Sequence, residues 1–266
     1  MHYLFILLGA AGAGIDEDPS PWAPKSRALL DGPAGCVEVQ GTATVDLAVM
    51  QPGGWRGPGT TRHHHLTGPF TGTLRDGVWT ERSADLRTTN SRPPIEMHDL
   101  MPVVGRSPGG AGHDLNLSIS SSGKDDPVNI SAQGAQGINL VDGILDAVKP
   151  DVTLSWLEEG EGGALILVQR APVKGADDDE QLELRTTFPG RGAPTRLDVT
   201  LPRKIRVGDG PIQATLFDGQ VHLRAASTPL GPLPTEEGVS VIFGFLGFTL
   251  GIDQRLVTTS YRPCGA

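Results

Sequence analysis

Long apolar runs are missing from this 266-residue chain. Its most apolar internal stretch, Val239 to Ile252 (VSVIFGFLGFTLGI), is fourteen residues long, short of the about 20 that a membrane-spanning helix needs. A basic stripe is missing as well: the 17 arginines, of 22 basic residues, are scattered singly, and the formal net charge is -9. A chain without a basic stripe cannot neutralise a run of phosphates, which excludes nucleic acid as a partner, and it offers no grouped cations to an anionic membrane surface. Aromatic residues are few, at 5%. No H-E-x-x-H metal motif and no Walker loop is present. The glycine-rich GGAGHD at Gly109 and GEGGAL at Gly160 lack the full dinucleotide fingerprint, so no nucleotide cofactor is expected.

Cysteine is scarcest of all. The two residues, Cys36 and Cys264, have no competitors, and in an oxidising compartment they pair with each other. Bridged cysteines are not nucleophiles. The bridge sets the first strand of the domain beside the last one, the arrangement of a closed or nearly closed β structure.

What the chain has in excess is glycine (36) and proline (22), together more than a fifth of its residues, which favours short elements and tight turns over long helices. The N-terminus runs from an apolar segment, Tyr3 to Leu8, through small residues, including Ala11-Gly12-Ala13, to the acidic Asp16, Glu17 and Asp18. That order predicts a signal peptide over residues 1–13, an extended Pro-rich leader over 14–35 and a single β domain over 36–266. Abundant Gly, Ala and Pro with Arg in excess of Lys fits a GC-rich bacterial genome, so export leads to the periplasm or the exterior.

From Cys36 the pattern alternates. Val37, Val39, Gly41, Ala43, Val45, Leu47 and Val49 hold the odd positions and polar residues most of the even ones, which predicts a long strand with one face in a core. Gly41 gives it a place to bend. Asp76-Gly77 and Asp218-Gly219, each between alternating runs, predict two hairpins, because both residue types accept positive φ. Further short strands lie between them. The 3.6-residue spacing of Ile138, Val141, Ile144, Leu145 and Val148, stopped by Pro150, predicts one helix. The fold class is therefore all-β, an antiparallel sandwich or partly open barrel with one short covering helix.

Val239 to Ile252 is apolar on both faces of a strand, so it needs cover on both sides, as a central strand or as two strands about a turn at Gly247. The functional expectation is an exported, non-enzymatic protein that binds an apolar, lipid-like ligand through Phe243, Phe245, Leu246 and Phe248. Two alternatives remain open. One is a structural or adhesive envelope protein with a dry core. The other is a metal-dependent enzyme at His63 and His65, which share a face in a strand about 6 to 7 Å apart. Acidic groups at Glu158, Glu159 and Glu161 are expected at a solvated hairpin tip.

Overall fold

A computed structural model describes residues 14–51, 59–88, 91–98, 116–120, 123–133, 153–173, 180–207, 214–245 and 247–265. The signal peptide expected over 1–13 and the helix expected over 138–148 lie outside them.

The odd-position alternation that begins at Cys36 builds β2 (Cys36–Gln51), with Val37, Val39, Ala43, Val45 and Leu47 all buried. It follows a two-residue β1 (Gly14–Ile15) and pairs along its whole length with β3 (Thr60–Arg75). The chain then runs through β4 (Val78–Ala84), β5 (Leu86–Arg87), β6 (Ile95–His98), β7 (Asn116–Ser120) and β8 (Val128–Gln133). The second half supplies β9 (Leu154–Glu159), β10 (Leu165–Pro172), β11 (Gln181–Phe188), β12 (Arg196–Thr200) and β13 (Ile205–Val207). Three long strands close the sequence: β14 (Ala214–Thr228), β15 (Gly231–Phe245) and β16 (Phe248–Pro263).

The sixteen strands among the described residues join one sheet in the order β1-β9-β10-β11-β12-β14-β15-β16-β2-β3-β5-β6-β8-β7, with β4 on β3 and β13 on β14. Every pairing is antiparallel except β6 with β8. The all-β expectation holds, as an open sheet that is not closed into a barrel. The expected disulfide is present between Cys36 and Cys264, and β2 does lie beside β16. Adjacency of first and last strands, however, does not close this structure. The β2–β16 ladder is a seam inside the sheet: the strands beyond β2 come from residues 60–133, and those beyond β16 from residues 154–245 plus β1.

The Pro-rich leader is not extended throughout. Ala23–Asp31 forms α1, with proline in its first turn where the missing N–H costs nothing, and it ends at Gly32, whose φ of 75° no other residue adopts so readily. Leu29 and Leu30 are buried among Leu184, Leu197 and Val199 of the sheet. Trp22, just before the helix, meets the Phe188 ring edge-on at 5.0 Å, and Ser26 shares a 2.5 Å hydrogen bond with Thr186. Among the described residues α1 is thus the short covering helix, anchored on β10–β15.

Asp76 and Gly77 form the expected hairpin turn between β3 and β4, both with positive φ (50° and 73°). Asp218-Gly219 does not. It lies inside β14, where the register with β15 shifts between Leu216 and Asp218, so a β-bulge at Phe217 replaces the turn. A turn there would forfeit most of the β14–β15 ladder. Gly219 instead makes room for a neighbour: a Cβ there would come within 2.7 Å of the end of the Leu201 side chain.

Candidate functional site

Val239 to Ile252 divides into the end of β15 and the start of β16, with Gly247 at φ 82° immediately before β16. Antiparallel partners share a face, so the register assigns each side chain to one side of the sheet. Val49 of β2 pairs with Leu250, Leu250 with Phe243, and Phe243 with Leu216. This row lies on the core face, in phase with buried Val45, Leu47 and Val241. Phe248 pairs with Phe245 one step nearer the turn, on the same face.

Burial falls steadily along that face of β16. Leu256 is 4% exposed and Gln254 9%, Ile252 and Leu250 are half-buried, and Phe248 reaches 46%. The expected ligand residues therefore separate. Phe243 packs against the core cluster of Leu216 and Val241, whereas Phe248 stands open at the end of the face. Phe245 is placed by its register alone, and Leu246 lies outside the described residues.

The same face carries polar side chains that the apolar pattern did not single out. Glu237 pairs with Leu223 and Leu256, Gln254 with Val239 and Val45, and both are buried. His64 pairs with Leu47 and is half-buried, and its Nδ1 has no hydrogen-bond partner. Their phase was legible: Glu237 is two residues from Val239, on the buried parity of β15. An apolar floor set with a few polar groups is the make-up of a small-molecule site.

His63 and His65 do share a face, as expected, but it is the opposite one. Both are exposed, and His65 Nδ1 lies 2.7 Å from Asp46 Oδ1 across the β2–β3 ladder. Among the described residues no three His, Cys, Asp or Glu side chains converge as a metal site would require. The face holding His63 and His65 also carries ion networks. Glu236 is surrounded by Arg255 Nε at 2.9 Å, Arg224 at 3.5 Å and His222 at 3.6 Å. Glu158, placed by the sequence at a solvated tip, instead accepts from Trp156 Nε1 at 2.9 Å and pairs closely with Arg185.

Burial pushes both carboxyls up, but the hydrogen bond from Arg255 and the charges of Arg255, Arg224 and His222 outweigh it at Glu236, and the Trp156 and Arg185 contacts do so at Glu158. Each is held below the ordinary carboxylate value. A carboxyl lowered on folding stabilises fully above its unfolded pKa, about 4.3, and that contribution is lost as pH falls through the lowered value. The expected result is a urea midpoint that holds from neutral pH to about 5 and drops on further acidification. Glu236→Gln should lower the midpoint at pH 7 and converge with the parent once acidification has passed the lowered pKa of Glu236; a constant offset throughout would remove the ion network from the account.

A groove of about 340 Å³ opens between Glu38, Gln40, Thr71, Thr73 and Glu81, and its polar walls do not suit an apolar guest. One sequence signal lies outside the described residues: Gly105-Arg106-Ser107-Pro108-Gly109 has the G-x-S-x-G spacing of a nucleophile elbow. That motif works at a strand-to-helix turn, so spacing alone carries no catalytic role. No helix among the described residues is long and apolar enough to cross a membrane. No protein-family model matches the chain, and no curated protein is significantly similar to it.

Proposed function

We propose that the protein is an exported carrier or receptor that holds an apolar, lipid-like molecule on the core face of its sheet, over Phe243, Phe248, Leu250 and Val49. The observation that carries this reading is the rise in exposure along the core face of β16, from Leu256 at 4% to Phe248 at 46%. A dry structural core has no use for an aromatic side chain half open to water at the end of an apolar row. Burying a Phe side chain contributes about 1.5–3 kcal/mol, so a ligand that covers it gains affinity directly. The Cys36–Cys264 disulfide is compatible with an oxidising compartment and supports export.

The test is a fluorescence titration with an alkyl or naphthyl probe such as N-phenyl-1-naphthylamine. Saturable uptake of one probe per chain, displaced by a long-chain fatty acid, is the expected result. Linear, unsaturable uptake would leave the dry-core structural role as the better account.

A further inference from the structure

The end of the sheet that carries the β15–β16 turn is apolar on both sides. Phe248 lies on the core face. Phe217, at the β14 bulge, lies on the other: its ring fills the space over Gly244, where a Cβ would come within 2.3 Å of it, and Gly244 points away from the face that holds Phe243. Phe217 and Phe248 are each 46% exposed, and they belong to the four large apolar side chains that the described residues leave in water. A core needs apolar residues on one face only. Two exposed phenylalanines on opposite faces of one tip make an end that is apolar all round.

The register also gathers charge that the sequence scatters. Arg62 pairs with Val49, Arg206 pairs with Thr215, and the exposed Lys204 immediately precedes β13, beside the bulge. Arg62 and Lys204 are both exposed, while Asp218, paired with Ile242 in the innermost row of this end, is half-buried and accepts from the Gly219 N–H. A chain of net charge -9 thus presents exposed cations at the end that carries the two exposed phenylalanines.

We infer that this end docks on an anionic lipid bilayer, with Phe217 and Phe248 entering the interface and Arg62 and Lys204 meeting the headgroups. Apolar insertion combined with a few cations is the two-part chemistry by which proteins bind membranes peripherally. Phe217 is on the other side of the sheet from the ligand floor, so its replacement tests docking separately from probe uptake.

The experiment is co-sedimentation of the oxidised chain with phosphatidylcholine vesicles, with and without about one third phosphatidylglycerol. Binding to the anionic vesicles is expected, weakening severalfold as salt rises from about 0.1 M to about 1 M and the screening length falls from about 10 Å to about 3 Å. Phe217→Ser should reduce vesicle binding at least tenfold while probe uptake is kept, and Arg62→Gln with Lys204→Gln should abolish the preference for anionic lipid. Should Phe217→Ser disturb the fold, the charge pair, both residues being exposed, decides alone. No binding to anionic vesicles, or binding indifferent to lipid charge and to these residues, overturns the proposal and leaves the tip to a protein partner.

Discussion

Replacing both Cys36 and Cys264 by Ser is expected to lower the free energy of unfolding by about 3 to 5 kcal/mol. The two residues are 228 positions apart, and the chain-entropy description assigns its largest effect to loops of that length, about 5 kcal/mol before any native-state cost. Position adds to length. The bridge sits at the end of the β2–β16 ladder, where Cys264 N–H also donates to the Cys36 carbonyl at 3.1 Å and Pro263 pairs with Val37. That ladder is the seam at which strands from the two halves of the sequence meet. Without the bridge, the unfolded halves separate freely and the seam must be closed by pairing alone. Urea unfolding of the oxidised protein and the double variant measures the difference. The slope with denaturant should be larger for the variant, because an uncrosslinked unfolded chain exposes more surface. Equal midpoints would mean that the two halves stay associated without the staple.

Phe248→Asp is expected to weaken uptake of an apolar probe by about a hundredfold and leave the unfolding midpoint nearly unchanged. The side chain is 46% exposed, so a carboxylate at this position keeps its water in the free protein. A bound ligand would strip that water away. An unpaired carboxylate buried against hydrocarbon costs several kcal/mol, and each 1.4 kcal/mol is about a factor of ten in affinity. Phe243→Asp is the contrasting variant. Its ring packs against the core of Leu216 and Val241, so the same change there should destabilise the fold. Probe titration and urea unfolding of the two variants separate a ligand floor from a dry core: in a dry core Phe248→Asp alters neither readout.

Much of this architecture was legible because it is local. The alternation after Cys36 marks β2 and its buried parity residue by residue, and the same parity in β15 places Glu237 beside Val239 on the core face. Gly41 was read as a bend. It lies where a Cβ would come within 2.2 Å of the Val257 carbonyl oxygen, opposite a register shift between Thr258 and Ser260. The repeated Thr-Leu-x-Asp-Gly shows where local reading stops. At Thr73 it ends a strand in a turn, with positive φ at Asp76 and Gly77; at Thr215 it runs on through a bulge in β14. The two five-residue sequences differ only in their central residue. What decides between them is the partner: β15 extends far enough on both sides of Asp218 to hold the strand straight.

Helix α1 was hidden for a similar reason. Pro21, Pro24 and Pro33 mark the leader as proline-rich, yet Pro24 sits at a helix start and Pro33 beyond its end, where proline is compatible with a helix between them. The anchoring pair Leu29 and Leu30 is too short a signal to reveal a nine-residue helix without the sheet it docks on. The gathering of distant cations at the Phe248 end of the sheet is likewise invisible in the sequence; strand register brings Arg62 and Lys204, just before β13, to the same end.

A native mass spectrum of the protein exported into a bacterial periplasm tests the central claim most directly, since one mass reports both the oxidised Cys36–Cys264 bridge and any bound guest. The expected spectrum shows an oxidised chain carrying an added mass that leaves as a lipid on collisional activation, and Phe248→Asp shows the same chain without it. A bare oxidised chain, refractory to loading with added lipid, would contradict the account and make the open row ending at Phe248 a surface for another protein.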